Sequence, residues 1–259
     1  NLRRCTRRPR RSSTMAAACT VAATCMQEQP ATTKCRRISA GGRDGGRAAP
    51  PVEPFAMLKL LPGPLAQRRR VLLLRHGQSE QNIRRKDMPD ATLTQEGCEQ
   101  ALSWRGKIES LGIEVVLVSP LRRAVQSACL AFSGGRAPLE LCRPARELWW
   151  CQLNNKPGSL DVMRGLLQQL PRGGEVKRVK EALVPRGVQP KTEKDSVDQL
   201  RKVLRARPEA VVGVVCHWGV IKQLCGVSAD NCDIVECICE GDGRLQAQRR
   251  WLRPSKTTS

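Results

Sequence analysis

From residue 71 onward, short apolar runs alternate with longer stretches in which apolar residues return every three or four positions. Val71-Leu72-Leu73-Leu74 and Val211–Cys216 are almost unbroken apolar runs, the pattern of strands covered on both faces. Glu114–Val118, Leu139–Cys142 and Ile234–Cys239 predict three more strands, the last of them closing the sheet. Gly97, Ala101, Trp104, Ile108 and Leu111 fall near one face and predict a helix over 94–112. Ser119-Pro120 reads as an N-cap followed by proline in the first helical turn. It opens a helix in which Leu121, Ala124, Val125, Ala128 and Phe132 share a face. Residues 152–192 are rich in Gly, Pro, Lys and Arg and read as mostly irregular, with a short helix near Leu160 to Leu170. Val197, Leu200 and Leu204 predict a helix over 195–207, and another begins at Gly219 to Leu224. Strands separated by helices predict an α/β fold: a three-layer sandwich with a mainly parallel central sheet flanked by helices.

Residues 1–65 have no such periodicity. They are rich in Arg, Ala, Thr, Gly and Pro and poor in acids, and read as a disordered basic leader. Such a leader fits a plastid or mitochondrial transit peptide or a plain solvated tail, the second leaving the protein cytoplasmic. The folded region is expected over 66–245 and a basic tail over 246–259. The net charge of +21 is uneven: residues 1–70 carry 15 Lys/Arg against 3 acids, the rest 30 against 21. The remainder is basic enough to favour an anionic substrate but does not make nucleic acid the default partner. Two Phe, five Trp and no Tyr also argue against a module that stacks bases on aromatic platforms. No apolar run approaches the ~18 residues of a membrane helix, so no membrane partner is expected. The thirteen cysteines include no Cys-x-x-Cys pair and neither histidine stands at ligand spacing from one, so they read as reduced, mostly buried thiols and not as a metal site.

Three predicted strands are followed directly by reactive or anion-binding groups. Arg75-His76-Gly77-Gln78-Ser79-Glu80-Gln81-Asn82 follows the first, Ser119-Pro120-Leu121-Arg122-Arg123 the second, and His217-Trp218-Gly219 the run Val211–Cys216. In open α/β sheets ligands lie beyond the carboxyl ends of the strands, and both histidines of the chain fall there. Neutral imidazole is a good nucleophile near pH 7, with an unperturbed pKa of ~6.5. Arginine offers planar two-point contacts to phosphoryl oxygens, and helix N-termini add backbone donors. The pattern suits phosphoryl transfer, a reaction governed by positioning and electrostatics.

These segments resemble the histidine phosphatase superfamily, also called phosphoglycerate-mutase-like, over roughly residues 70–240. Arg75-His76-Gly77 with Ser79 and Asn82 looks like its signature; Leu93-Thr94, Gly97 and Gln100-Ala101 look like its next block. Val118 to Ala124, Arg146-Glu147-Leu148, Arg207-Pro208-Glu209 running on to His217, and Asn231-Cys232-Asp233 look like the later blocks. The resemblance implies that His76 attacks phosphorus and becomes phosphohistidine, and that Glu147 protonates the leaving oxygen and then helps water attack. It implies that Arg75, Arg123 and His217 hold the phosphoryl group, that Asn82 adds a hydrogen bond, and that neither cofactor nor metal takes part. The expected partner is a small phosphorylated metabolite. Alternatives are mutase-type transfer and a catalytically idle member acting as a binding protein. The segment after Asn82 lacks the Gly-Trp element of phosphoglycerate mutases, and the folded part is short for a mutase, which favours the phosphatase branch. Trp218 stands where many members have a small residue and is expected to narrow the pocket, and Ser127 stands where Thr is common. Trp149 and Trp150 read as core or rim packing rather than as substrate platforms.

Overall fold

The computed structural model describes residues 68–255 apart from 86, 150, 151 and 185–191. The leader predicted over 1–65, and Trp150, lie outside the described residues. Among the described residues six strands form one sheet: β1 Arg69–Arg75, β2 Val115–Val118, β3 Leu139–Leu141, β4 Val211–Cys216, β5 Ile234–Cys239 and β6 Leu245–Trp251. Their order is β3-β2-β4-β1-β5-β6, with the first four parallel and β5 and β6 antiparallel. Among the described residues seven helices accompany them: α1 Glu80–Arg84, α2 Gln95–Leu102, α3 Arg122–Ala131, α4 Leu160–Leu167, α5 Val179–Leu183, α6 Glu193–Ala206 and α7 Trp218–Cys225.

The sheet is covered on both faces, which explains its continuous apolar runs. Leu72, Leu74, Val116, Val118 and Val215 point into one buried cluster with α2, α3, α4 and α5. Val71, Leu73, Val115, Leu117, Val212 and Val214 point into another, with Val197, Leu200 and Leu204 of α6 and Val220, Ile221 and Leu224 of α7. Successive residues of β1 alternate between the two, as strand geometry requires, and the result is the expected three-layer α/β sandwich. Cys129, Cys142, Cys216, Cys232, Cys237 and Cys239 are buried and act as small apolar side chains in it. Among the described residues no helix is long and apolar enough to cross a membrane.

Four local expectations need correction. The helix predicted over 94–112 stops at Leu102: the Ser103 hydroxyl donates to the Gln100 carbonyl at 2.8 Å, and Gly106 takes a φ of +75°. Trp104, Ile108 and Leu111 still reach the core, the last two from a short 3₁₀ turn at Ile108–Leu111. Ser119 is not the N-cap of α3, which starts at Arg122 behind Leu121. Among the described residues of 152–192, a second helix, α5, and 3₁₀ turns at Leu153–Asn155 and Gly173–Glu175 join α4, the short helix expected near Leu160 to Leu170. The sheet does not close at Cys239, because residues 245–251, all but the first of them in the expected tail, add β6 at its edge. The side chains of β6 are almost all exposed, so its backbone pairing leaves little apolar signature. Arg250 of that strand binds Asp230 and the buried Asp233, and Trp251 Nε1 donates to Glu236 at 2.9 Å. A cavity of about 540 Å³ is lined by Arg70 of β1, Glu236 of β5, and Arg249 and Trp251 of β6.

Candidate active site

β1 and β4 run side by side in parallel, with Arg75 beside Cys216, so the residues that follow them are neighbours. His76 N–H donates to the Cys216 carbonyl at 3.1 Å, and the His76 and His217 rings lie 5.0 Å apart between centroids. β2 runs on the other flank of β4. The Ser119 N–H bonds the Val215 carbonyl, which brings the Ser119 hydroxyl to His217 Nε2 at 2.7 Å. The serine that looked like a helix cap is therefore spent on the second histidine. Both uses call for the same residue, and sequence alone does not separate them.

The His76 ring is fixed from behind. Nδ1 lies 2.7 Å from the Gly77 carbonyl, which cannot donate, so Nδ1 carries the proton and Nε2 keeps its lone pair. The peptide after it is held by Gly77 N–H donating to Ser127 Oγ at 2.9 Å, and Asn231 Nδ2 donates to the His76 carbonyl at 2.8 Å. Burial, reinforced by Arg123 and then Arg75, pushes the His76 imidazole well below its ordinary 6.5. The His217 imidazole is pushed down in the same way, by burial and then by Arg123 and His76.

Arg123 sits in the first turn of α3 and is 2 % exposed. Its Nε faces His76 Nε2 at 3.4 Å, Nη1 donates to the Asn154 carbonyl at 2.6 Å, and Nη2 to Asn155 Oδ1 at 2.9 Å. Three of the five guanidinium N–H groups are thus committed. Burial pulls its pKa down to about 10, so it remains a cation at neutral pH. Arg75 donates through Nη1 to the Ala229 carbonyl at 2.8 Å, while its buried Nε has no hydrogen-bond partner. His217 Nδ1 is the other orphaned buried nitrogen here. Buried polar atoms rarely go unpaired, and these two belong to residues whose charges or rings bear directly on His76.

Glu147 arrives from the loop after β3 and is buried. Oε1 accepts from Leu148 N–H at 2.9 Å and Oε2 from Gly219 N–H, in the first turn of α7, at 3.4 Å. Burial raises its pKa, opposed by the two backbone donors, Arg123 and Arg75. A Cβ on Gly219 would stand 2.6 Å from Glu147 Oε1 and 2.8 Å from Trp149 Cζ3, so it would have to displace those side chains. Gly77 and Gly97 are fixed by a similar crossing, since a Cβ on Gly77 would lie 2.4 Å from the Gly97 carbonyl oxygen and one on Gly97 would lie 2.0 Å from that of Gln78.

Five of the six residues singled out in the sequence therefore meet: His76, His217, Arg75, Arg123 and Glu147. Asn82 is at the third position of α1, where Oδ1 accepts from both Ser79 N–H and Ser79 Oγ–H at 3.0 Å, so its carbonyl is spent on capping the helix. Asn154 and Asn155 were missed. They lie buried in a 3₁₀ turn whose chain is tied down by Asp87, a carboxylate that accepts from Leu153 N–H at 2.9 Å and Asn154 N–H at 3.0 Å. Among the described residues no three His, Cys, Asp or Glu side chains are grouped so that they could hold a metal ion.

The profile of the histidine phosphatase superfamily (branch 1) matches residues 71–231. The chain belongs to this superfamily. Its membership supports phosphoryl transfer through a histidine. No curated protein matches this chain in sequence. Among solved structures it is similar to a mycobacterial glucosyl-3-phosphoglycerate phosphatase, at 20% identity and a TM-score of 0.46, over 72% of this chain and 100% of that one. It is also similar to a mycobacterial hydrolase, at 20% identity and a TM-score of 0.48, over 73% of this chain and 100% of that one. A phosphoglycerate mutase from Bacillus anthracis matches at 16% identity and a TM-score of 0.48, over 70% and 92% of the two chains.

Proposed function

We propose that this histidine phosphatase hydrolyses a small phosphomonoester through a phosphohistidine on His76, without a metal ion. The observation that carries the reading is the Nε2 of a buried His76, left with its lone pair, with Arg123 Nε 3.4 Å away and the His217 ring 5.0 Å from its own between centroids. The nucleophile is neutral because the two arginines and burial disfavour imidazolium. His76 Nε2 attacks phosphorus as the bond to the alcohol oxygen breaks. Arg75 and the two uncommitted N–H groups of Arg123 receive the equatorial oxygens. When the Ser119 hydroxyl donates to His217 Nε2, the neutral ring carries its proton on Nδ1 and offers it to the same oxygens.

Glu147 supplies the proton to the leaving alcohol, and burial keeps enough of it in the acid form to do so. As carboxylate it then takes a proton from water, whose oxygen attacks phosphorus and breaks the P–Nε2 bond, releasing inorganic phosphate. Hydrolysis is favoured over mutase transfer by the missing Gly-Trp element after Asn82. The test is hydrolysis of an aryl phosphate by the full chain in excess chelator, beside His76→Ala. Activity that survives the chelator and is lost in His76→Ala is expected. Unchanged turnover in His76→Ala would sink the mechanism.

A further inference from the structure

Whereas Trp104 and Phe132 are buried, Trp149 and Trp218 are 42 % and 37 % exposed. Their rings stack on each other, 6.2 Å apart and 17° from parallel. Both are held deliberately. Trp149 takes a left-handed backbone, φ +57°, a conformation that costs a non-glycine residue and tends to gather at functional sites. Its N–H donates to the Glu193 carboxylate, and Trp218 Nε1 donates to Ser228 Oγ at 2.8 Å. The polar handle of Trp218 is therefore used up, and what the ring offers outward is apolar surface. The pair also adjoins the chemistry: a single point above Gly219 lies within 2.8 Å of the Trp149 ring and 2.6 Å of Glu147 Oε1.

We infer that the Trp149–Trp218 pair is the wall against which the substrate's alcohol portion lies, and that this portion carries an aromatic or heteroaromatic ring close to the ester oxygen. The inference rests on Glu147 as the donor to that oxygen, because whatever the oxygen is attached to must then emerge beside Glu147, where the indoles stand. The two cations that act on Glu147, Arg123 and Arg75, also act on His76 and serve the phosphoryl group. What the wall presents is indole: the faces of both rings, with the Trp218 Nε1 donor already given to Ser228 Oγ. A flat neutral ring satisfies it by stacking. This reverses the expectation that Trp149 is core or rim packing rather than a substrate platform.

Benzyl phosphate and cyclohexylmethyl phosphate test this, since both release a primary alcohol of nearly equal size and differ in flatness; glucose 6-phosphate is the third substrate. Stacking of this kind predicts a kcat/KM for the benzyl ester about fivefold or more above the cyclohexylmethyl ester. That ratio is expected to fall towards one in Trp149→Ala and Trp218→Ala and to be retained in Trp149→Phe. A ratio near one in the unmodified enzyme, a ratio that survives both alanine variants, or a preference for glucose 6-phosphate overturns the wall and leaves the hydrolase standing. If none of the esters is hydrolysed, calorimetry with benzylphosphonate and cyclohexylmethylphosphonate separates the two ideas. A benzyl preference lost in Trp149→Ala supports the wall while removing the hydrolase, and equal binding overturns the wall.

Discussion

A histidine works as a nucleophile when one ring nitrogen keeps a lone pair and the ring stays neutral, and each condition here has a named source. The Gly77 carbonyl accepts a hydrogen bond from Nδ1–H and so keeps the proton on that nitrogen, and burial with Arg123 and Arg75 holds the ring neutral. Glu147 is shifted the opposite way, upward, by burial. A base lowered from 6.5 and an acid raised from 4.5 give a bell-shaped pH profile. Its acid limb, at pH below 6.5, follows protonation of His76, and its alkaline limb, at pH above 4.5, follows ionisation of Glu147. Glu147→Gln is expected to lose about 10²–10⁴ in kcat with alkyl phosphates, far less with p-nitrophenyl phosphate, and the alkaline limb with it. An unchanged alkaline limb would assign that titration to another group. Ser119→Ala removes the hydroxyl from His217 Nε2 and frees the ring to carry its proton there. It is expected to lower kcat about 10–100-fold, with KM changed much less, as loss of an orienting partner does. Ser119→Thr, which keeps the hydroxyl, is expected to recover part of the loss, and a pure KM effect would contradict the role.

At the scale of elements, the site depends on two loops that pass closer than side chains allow. The turn after β1 crosses the start of α2 at Gly77 and Gly97. Gly97→Ala drives a methyl group into the Gln78 carbonyl and forces the turn that carries His76 to move. A loss of about 1–3 kcal/mol in urea unfolding is expected, together with a fall in activity. Full stability in that variant would mean the turn is looser than drawn. Strand and helix positions were largely legible because burial on both sheet faces leaves continuous apolar runs, as in Val71–Leu74, and helices leave stripes, as in Val197, Leu200 and Leu204. β6 was not legible, since an edge strand bonded through its backbone needs no apolar residues. The break at Ser103 was hidden because Trp104, Ile108 and Leu111 keep facing the core after the helix has ended.

Across the whole molecule, the motifs lie far apart in sequence and converge because β1, β4 and β2 end at one edge of the sheet. That convergence could be anticipated for His76, His217 and Arg123, each placed at or just beyond a strand end. It could not be anticipated for Asn154, whose contribution is a main-chain carbonyl that any residue owns, or for Asn155, which arrives on a loop without periodicity. The central claim is a covalent bond between His76 Nε2 and phosphorus, and rapid-quench trapping with a ³²P-labelled benzyl phosphate tests it most directly. The account predicts a label that is stable to base and labile to acid, maps to the peptide bearing His76, and is absent from His76→Ala. Turnover without any such label, or a label on another residue, would contradict it.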